Sequence, residues 1–467
     1  MSPRAPPEVR QKTERDPANR LDVIVVGAGL GGLGAAISIL LAGHNVTVLE
    51  SASEIGEIGA GIQALPNSTR ILISWGIEEK LKNNATQPRY VNMIGWKGNH
   101  LSRMDLHAYA KAIGTPFWDF HRANLHKCLL DRAVELGAKV IVNSRVVAVD
   151  CAEDGLSSTV TLSNGTSMAA NLIVGADGIS SSLREILLGR PDPPKPTGDL
   201  AYRLLINTED MLPYPELRGF IEDPQVNYWL GPDIHAVNYV LRGGKLFNMV
   251  LLVPDDIQGT EMKVEGSVEK MQALYEGWDP QIPKLLKLCK STEKWRLCIR
   301  PTLEQWTHSS GAFTLLGDAV HATLPYLASG FGMALEDASV LGLCLERISH
   351  NSREQKLLAL DVYEQCRRER TEKVVARGNY QQHLYHIHDG EEQRERDKKF
   401  KHFEELDRQW IAQAGSQLEE RFESGDDPLP WRYNGVGCWL LTYDADEDVE
   451  RRWPKASTGG GEMSTML

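Results

Sequence analysis

The chain has 467 residues, 42% hydrophobic and 24% charged, a balance that excludes a disordered protein and leaves room for two or three domains sharing an interface. Its 51 Lys+Arg against 63 Asp+Glu give a formal charge of −12, which repels phosphate backbones and anionic lipid and argues against nucleic acid as a partner. The seven cysteines (Cys128, Cys151, Cys289, Cys298, Cys344, Cys366, Cys438) lie far apart, without CxxC spacing or a preceding secretory segment, as in a cytoplasmic protein with reduced, buried thiols.

Residues 1–20 are rich in Pro, Arg, Glu and Lys and read as a disordered arm. Leu21–Val26 then reads as a buried strand, followed by a glycine turn, a helix to about Leu41 and a strand at Asn45–Leu49, a βαβ start. Val23–Gly43 carries no charge and is long enough to span a membrane. The glycines between Gly27 and Gly34 interrupt it, so a buried strand and helix fit better and no membrane span is expected. Strand-like runs at Asn171–Gly175 and Ala312–Leu316 lead into Asp177-Gly178 and Gly317-Asp318. Between them, Val226–Leu230 and Ala236–Leu241 alternate as sheet strands do. A buried helix is expected after Gly332, and Glu391–Arg408 reads as a helix with a solvated charged face. Ser457–Gly461 reads as a flexible tail, and Thr465–Leu467 is no clear targeting signal.

Gly27-Ala28-Gly29-Leu30-Gly31-Gly32 supplies GxGxxG between strand and helix. Gly27 can turn, Gly29 can admit a pyrophosphate and Gly32 can let helix and strand approach, while the helix N-terminus favours phosphate charge. Glu50, about twenty residues on, ends the second strand, where a carboxylate accepts hydrogen bonds from ribose hydroxyls and disfavours a 2′-phosphate. Together these point to an ADP-containing dinucleotide without deciding between FAD and NAD. No HExxH or paired CxxC motif is present, so no metal is expected, and no GxSxG elbow offers a serine nucleophile.

The segments Asp177–Arg184 and Gly317–His321, followed by Pro325, Gly330, Gly332, Glu336 and Asp337, complete a pattern. With the nucleotide fingerprint, over roughly residues 21–450, the chain resembles the group A FAD-dependent monooxygenases, in the para-hydroxybenzoate hydroxylase superfamily and its salicylate hydroxylase-like branch. The resemblance implies a fold that is α/β: a discontinuous Rossmann-like FAD-binding domain at 21–194 and 301–350, interrupted by a β-rich substrate-binding domain at 195–300. Helices at 351–453 and a tail at 454–467 follow. It also implies that Asp318 contacts the FAD ribityl chain, while the DG segment helps hold the pyrophosphate and receive the nicotinamide, the latter a role that Asp177 and Arg184 would inherit. For Arg184 the bland alternative is a salt bridge between helix start and loop.

Glu57–Gln63 resembles the family's loop over the flavin, and His121–Leu125 its arginine-bearing helix start, which makes Gly61, Gln63 and Arg122 expected FAD contacts. Amides around Gly330, Phe331 and Gly332 would meet the negative charge of reduced flavin. Ala201-Tyr202-Arg203 and Gly231–Tyr239 resemble segments facing the substrate, with His235 and Tyr239 on one strand face. His235 and Tyr239 would take the proton of a phenol while Arg203 holds a carboxylate or the phenolate. Val240 and Ser329 stand where the family often has proline and glutamine, and His321 reads chiefly as structural.

The implied function is hydroxylation of a phenolic or salicylate-like substrate with O2 and transient NADH or NADPH, through a C4a-peroxyflavin. A single GxGxxG in context speaks against a second dinucleotide domain, and the absence of a Trp-x-Trp pattern against halogenation. Two alternatives remain: oxidation or epoxidation of a larger polyketide or indole natural product, and a non-catalytic binding protein on the same fold. A monomer or homodimer is expected.

Overall fold

The computed structural model describes residues 5–56, 60–413, 426–433 and 435–454. The expected tail motifs and Glu57–Gly59 of the loop over the flavin lie outside them.

Five parallel strands form one sheet, in the order Phe313–Leu315, Leu172–Gly175, Asp22–Val26, Asn45–Leu49 and Lys139–Ile141. Val23–Val26 is buried throughout, because helices cover both faces of such a sheet and leave no solvated side for alternation. The Leu30–Leu41 helix is buried almost all round. On one side it packs against the Gly330–Glu346 helix at close range. A Cβ on Gly34 would meet Leu335 and Ala338, and one on Gly342 would lie 2.0 Å from Ser38 Oγ. The uncharged run is thus a strand and helix wrapped in protein, and no helix among the described residues is long and apolar enough to cross a membrane.

The second large sheet has eight strands, in the order Lys263–Gly266, Thr292–Ile299, Lys195–Asn207, Leu246–Pro254, His235–Leu241, Val226–Leu230, Tyr90–Gly95 and His100–Asp105. It corrects the boundary at 195–300, since two of its strands come from within 21–194. Val226–Leu230 pairs in parallel with Tyr90–Gly95, and a parallel partner so distant in sequence leaves no hairpin signature to read. Gly61–Ala64 and Trp118–His121 form a separate antiparallel pair, of which Gly61, Ile62 and Gln63 line the central cavity.

Residues 5–20 correct a second expectation. The arm lies along the five-stranded domain: Arg10 N–H donates to Ser74 O and Thr13 N–H to Leu41 O. The Arg10 guanidinium pairs with Glu346 and Asp446, and Arg15 donates to the carbonyls of Glu346 and Ile348. Arg15 thereby satisfies carbonyls at and just beyond the C-terminal end of the Gly330–Glu346 helix, a partner composition cannot reveal.

The chain closes with the long Arg353–Tyr385 helix and the Glu391–Ala412 helix. The latter has, besides its charged exposed face, a buried stripe of Arg396, Phe400, Glu404, Asp407 and Trp410 against the edge of the eight-stranded sheet, where Ser102 Oγ donates to Phe400 O. All seven cysteines are free, and all but Cys151 are buried.

Candidate active site

A cavity of about 320 Å³ opens between the C-terminal ends of the parallel strands and one face of the eight-stranded sheet. Gly29, Gly31, Ala176, Gly178, Asp318 and Gly330 line it from the nucleotide side; Ala201, Arg203, His235, Val237, Tyr239, Val250 and Leu252 line it from the sheet. Gly61, Gln63 and Arg122 form the connecting wall.

The turn at Gly27 shows why its residues are glycines. Gly27 has φ +106°, and a Cβ there would sit 2.4 Å from Ala176 O; a Cβ on Gly32 would sit 1.9 Å from Gly27 O. At Gly29 no protein atom lies within 4 Å of a built Cβ, which leaves the start of the Leu30–Leu41 helix open to an anion. Glu50 accepts from the amides of Ala28 and Ala52, and although burial acts to raise its pKa, these hydrogen bonds hold it below the ordinary glutamate value. It is an ionised acceptor at the strand end. Asp318, at the start of its short helix, is exposed to the cavity and makes no side-chain hydrogen bond among the described residues. The Gly330–Glu346 helix points its N-terminus into the same space, with Gly330 and Phe331 on the lining. Gly332 instead packs on Asn67, where a Cβ would come within 3.1 Å of Nδ2. An open helix start, an ionised carboxylate at the end of the second strand, a free carboxylate and a second helix start in one cleft fit FAD.

The Asp177 carboxylate accepts from Ser181 Oγ and from the Ser182 and Leu183 amides at the start of the Ser182–Leu188 helix, and its neighbours Ala176 and Gly178 line the cavity. Arg184 is the salt bridge of the bland alternative: buried, it pairs with Asp192 at 2.7 Å and donates to the carbonyls of Ala319, Val320 and Pro301. It thereby braces the turn that carries Asp318. His321 points away from the cavity, its Nε2 2.6 Å from Asp337 and its ring 5.6 Å from Trp306. Asp337 also receives Gly317 N–H and Arg367 Nε. Burial alone would raise its pKa, but His321 and Arg367 outweigh burial and hold it down to about 2.

On the sheet wall, His235, Val237 and Tyr239 occupy alternate positions of one strand and face the cavity together. Burial, then His386, pushes the His235 pKa well below its usual value, so the imidazole is neutral. Burial raises Tyr239, with Asp119 adding to the effect, so its phenol stays protonated and can donate. Arg203 lies over the Trp295 ring at 4.8 Å, with Nε unpartnered; burial and Arg122 both lower its pKa. Gly61 N–H donates to Asn248 Oδ1, and a Cβ on Gly61 would overlap the Tyr239 ring, which explains glycine there. Gln63 Nε2 donates to Asp119, whose carboxyl burial pushes well up toward the neutral form.

Sequence reasoning missed Asp119, Tyr228, Tyr326, Tyr385 and His386. Tyr228 and Tyr326 line the cavity, and the His235 ring lies 5.1 Å from those of Tyr326 and Tyr385. Alternation could have flagged Tyr228 within its strand; no local pattern marks His386, which arrives from the end of the Arg353–Tyr385 helix.

A family profile described as FAD binding domain matches residues 20–378. The chain is 39% identical over 431 residues to an FAD-dependent monooxygenase of Beauveria bassiana, covering 91% of this chain and 95% of that protein. It is 34% identical to a 3-hydroxybenzoate 6-hydroxylase of Polaromonas naphthalenivorans, covering 78% of this chain and 88% of that one, and 34% identical to a hispidin-3-hydroxylase of Neonothopanus nambi, covering 78% and 89%. A solved salicylate hydroxylase substrate complex shares the fold, with a TM-score of 0.71 at 22% identity over 94% of this chain and all of that one. The nucleotide turn, the Asp318 cleft and these matches have one reading: the chain belongs to the group A FAD-dependent monooxygenases and is a flavoprotein oxidoreductase.

Proposed function

We propose that the protein hydroxylates a small aromatic substrate bearing a ring hydroxyl, with NAD(P)H as reductant and O2 as oxidant. The observation that carries this reading is the sheet wall, where a neutral imidazole, a protonated phenol and a guanidinium, from His235, Tyr239 and Arg203, share one cavity with the nucleotide cleft. FAD, when bound, supplies the hydride acceptor and the activation of O2.

The chain's own work is binding, orientation and proton handling. Gly29 and the Leu30–Leu41 helix start would hold the pyrophosphate, Glu50 the ribose and Asp318 the ribityl chain. The amides at Gly330–Gly332, at the positive end of a helix dipole, would favour the negative charge of the reduced cofactor. His235 takes the proton of the substrate hydroxyl, Tyr239 donates a hydrogen bond to the resulting oxygen, and Arg203 holds that oxygen or a ring carboxylate. Losing the proton pushes electron density into the ring, which is what attack on an electrophilic oxygen requires. Val237, Val250, Leu252 and Leu324 keep water away from the reacting centre.

A second reading, oxidation of a larger polyketide-like or indole product, is favoured by the similarity to a hispidin-3-hydroxylase. The recess lined by Leu65, Phe117, Trp118 and Trp431 beside Gln63 and Tyr228 holds only about 10 Å³, so a larger substrate needs these side chains to move. NAD(P)H oxidation by the FAD-loaded protein across phenolic acids, phenols and indoles separates the two. Stimulation by simple phenolic acids supports the first reading; stimulation by extended ring systems alone replaces it with the second.

A further inference from the structure

A proton taken up by His235 arrives where it cannot stay. The residue is 1% exposed, and its ring is enclosed by Tyr228, Tyr326, Tyr385 and His386, none of which carries negative charge. A buried imidazolium without a counter-charge is costly, so the proton must leave or hydroxylation must wait. One path is built. His235 Nδ1 lies 2.7 Å from His386 Nε2, with the two rings 4.9 Å apart. His386 follows the Arg353–Tyr385 helix as its C-terminal cap, and 12% of its side chain reaches solvent. Its Nδ1 lies 3.7 Å from Asp199 Oδ2, and its carbonyl accepts from the Asp233 amide. Asp199 is fixed in turn by Tyr326 OH at 2.5 Å and Gln382 Nε2 at 2.6 Å. Burial lowers the His386 pKa, while Asp199 and Asp233 both act to raise it, so the proton is better accommodated there than on His235.

We propose that His386, backed by Asp199, is the proton outlet of the catalytic cavity. The proposal rests on the reading of the substrate as a phenol. His235 Nε2 accepts the hydroxyl proton while its Nδ1–H passes to His386 Nε2; His386 Nδ1–H then goes to water, with the Asp199 carboxylate 3.7 Å away favouring the positive charge in transit. One O–H bond is broken, one proton reaches solvent, the substrate becomes a phenolate, and no electrons change hands. Relaxation to the starting tautomers completes the cycle. His386 touches no substrate and acts through His235 as a positioning and relay residue.

The test is a pH jump on the FAD-loaded protein with bound 4-nitrophenol, whose yellow anion reports deprotonation inside the cavity without turnover. His386→Ala is expected to slow the colour change at least about tenfold, with FAD content and melting temperature unchanged and free imidazole restoring the rate. His386→Gln can hold the His235 hydrogen bond but cannot pass a proton on, so it is expected to stay slow. A wild-type rate in His386→Gln makes the contact structural and overturns the proposal, as does a wild-type rate in His386→Ala. Should His386→Ala fail to fold, the His386→Gln rate decides alone. A wild-type protein that neither binds nitrophenol nor turns over any phenol instead defeats the substrate reading beneath it.

Discussion

Two glycines of the same motif are expected to fail in different ways. A methyl group at Gly32 would lie 1.9 Å from Gly27 O and 3.4 Å from Ala176 Cβ, so helix and turn must part by more than an ångström. Overpacking on that scale costs about 1–3 kcal/mol of apoprotein stability, and it distorts the turn itself. Gly29 has an ordinary extended conformation, φ −70° and ψ 178°, and no protein atom within 4 Å of its built Cβ. Gly29→Ala should therefore change apoprotein stability by less than about 0.5 kcal/mol. The space its methyl fills is the space the pyrophosphate needs, so FAD affinity should fall at least about tenfold, or about 1.4 kcal/mol. The assays are thermal unfolding of the flavin-free variants and titration with FAD followed by quenching of its fluorescence. Wild-type FAD affinity in Gly29→Ala, or a Gly32→Ala apoprotein as stable as wild type, would refute the reasoning.

Asp318→Ala should weaken FAD retention while leaving the apoprotein's melting temperature unchanged, since Asp318 is exposed and holds nothing else together; flavin content after gel filtration checks this. Tyr239→Phe removes a donor and little volume, so FAD should remain bound while oxygenated product per NAD(P)H falls by about tenfold or more, measured as product against peroxide. Asp337 predicts an acid limit. Its folded pKa of about 2 lies below the model-compound 3.8, so its contribution of about 2 kcal/mol is complete above pH 3.8 and is lost as pH falls toward 2. Asp337→Asn should flatten that acid dependence and destabilise at neutral pH, because it leaves Arg367 buried with only Glu336 as ionic partner; urea unfolding from pH 2 to 7 reads both effects.

What was legible in the sequence was local. Asn45–Leu49 and Val226–Leu230 have the bounds their alternation and β-branching suggest, and the glycine turn declares itself because only glycine satisfies the contacts around Gly27 and Gly32. The HxxxY spacing puts His235 and Tyr239 on one face because strand geometry has a period of two. What escaped was long-range. The charge-rich arm reads as disordered until Glu346 and Asp446 stand opposite Arg10. Nothing local announces that Asp177 holds Ser181 Oγ and the Ser182 and Leu183 amides at the next helix start. His386 gives no signal of its own, because its meaning depends on a strand far back in the chain.

Aromatic hydroxylation requires the sheet wall and the nucleotide cleft to act together on one substrate. The most direct test is turnover of the FAD-loaded protein with NAD(P)H and a phenolic acid under ¹⁸O2, with the product analysed by mass spectrometry. One ¹⁸O atom in a ring-hydroxylated product, lost in parallel with activity in His235→Ala, is the predicted result. NAD(P)H consumption that yields only peroxide across the whole phenol and indole panel, or a product whose new oxygen comes from water, would contradict it.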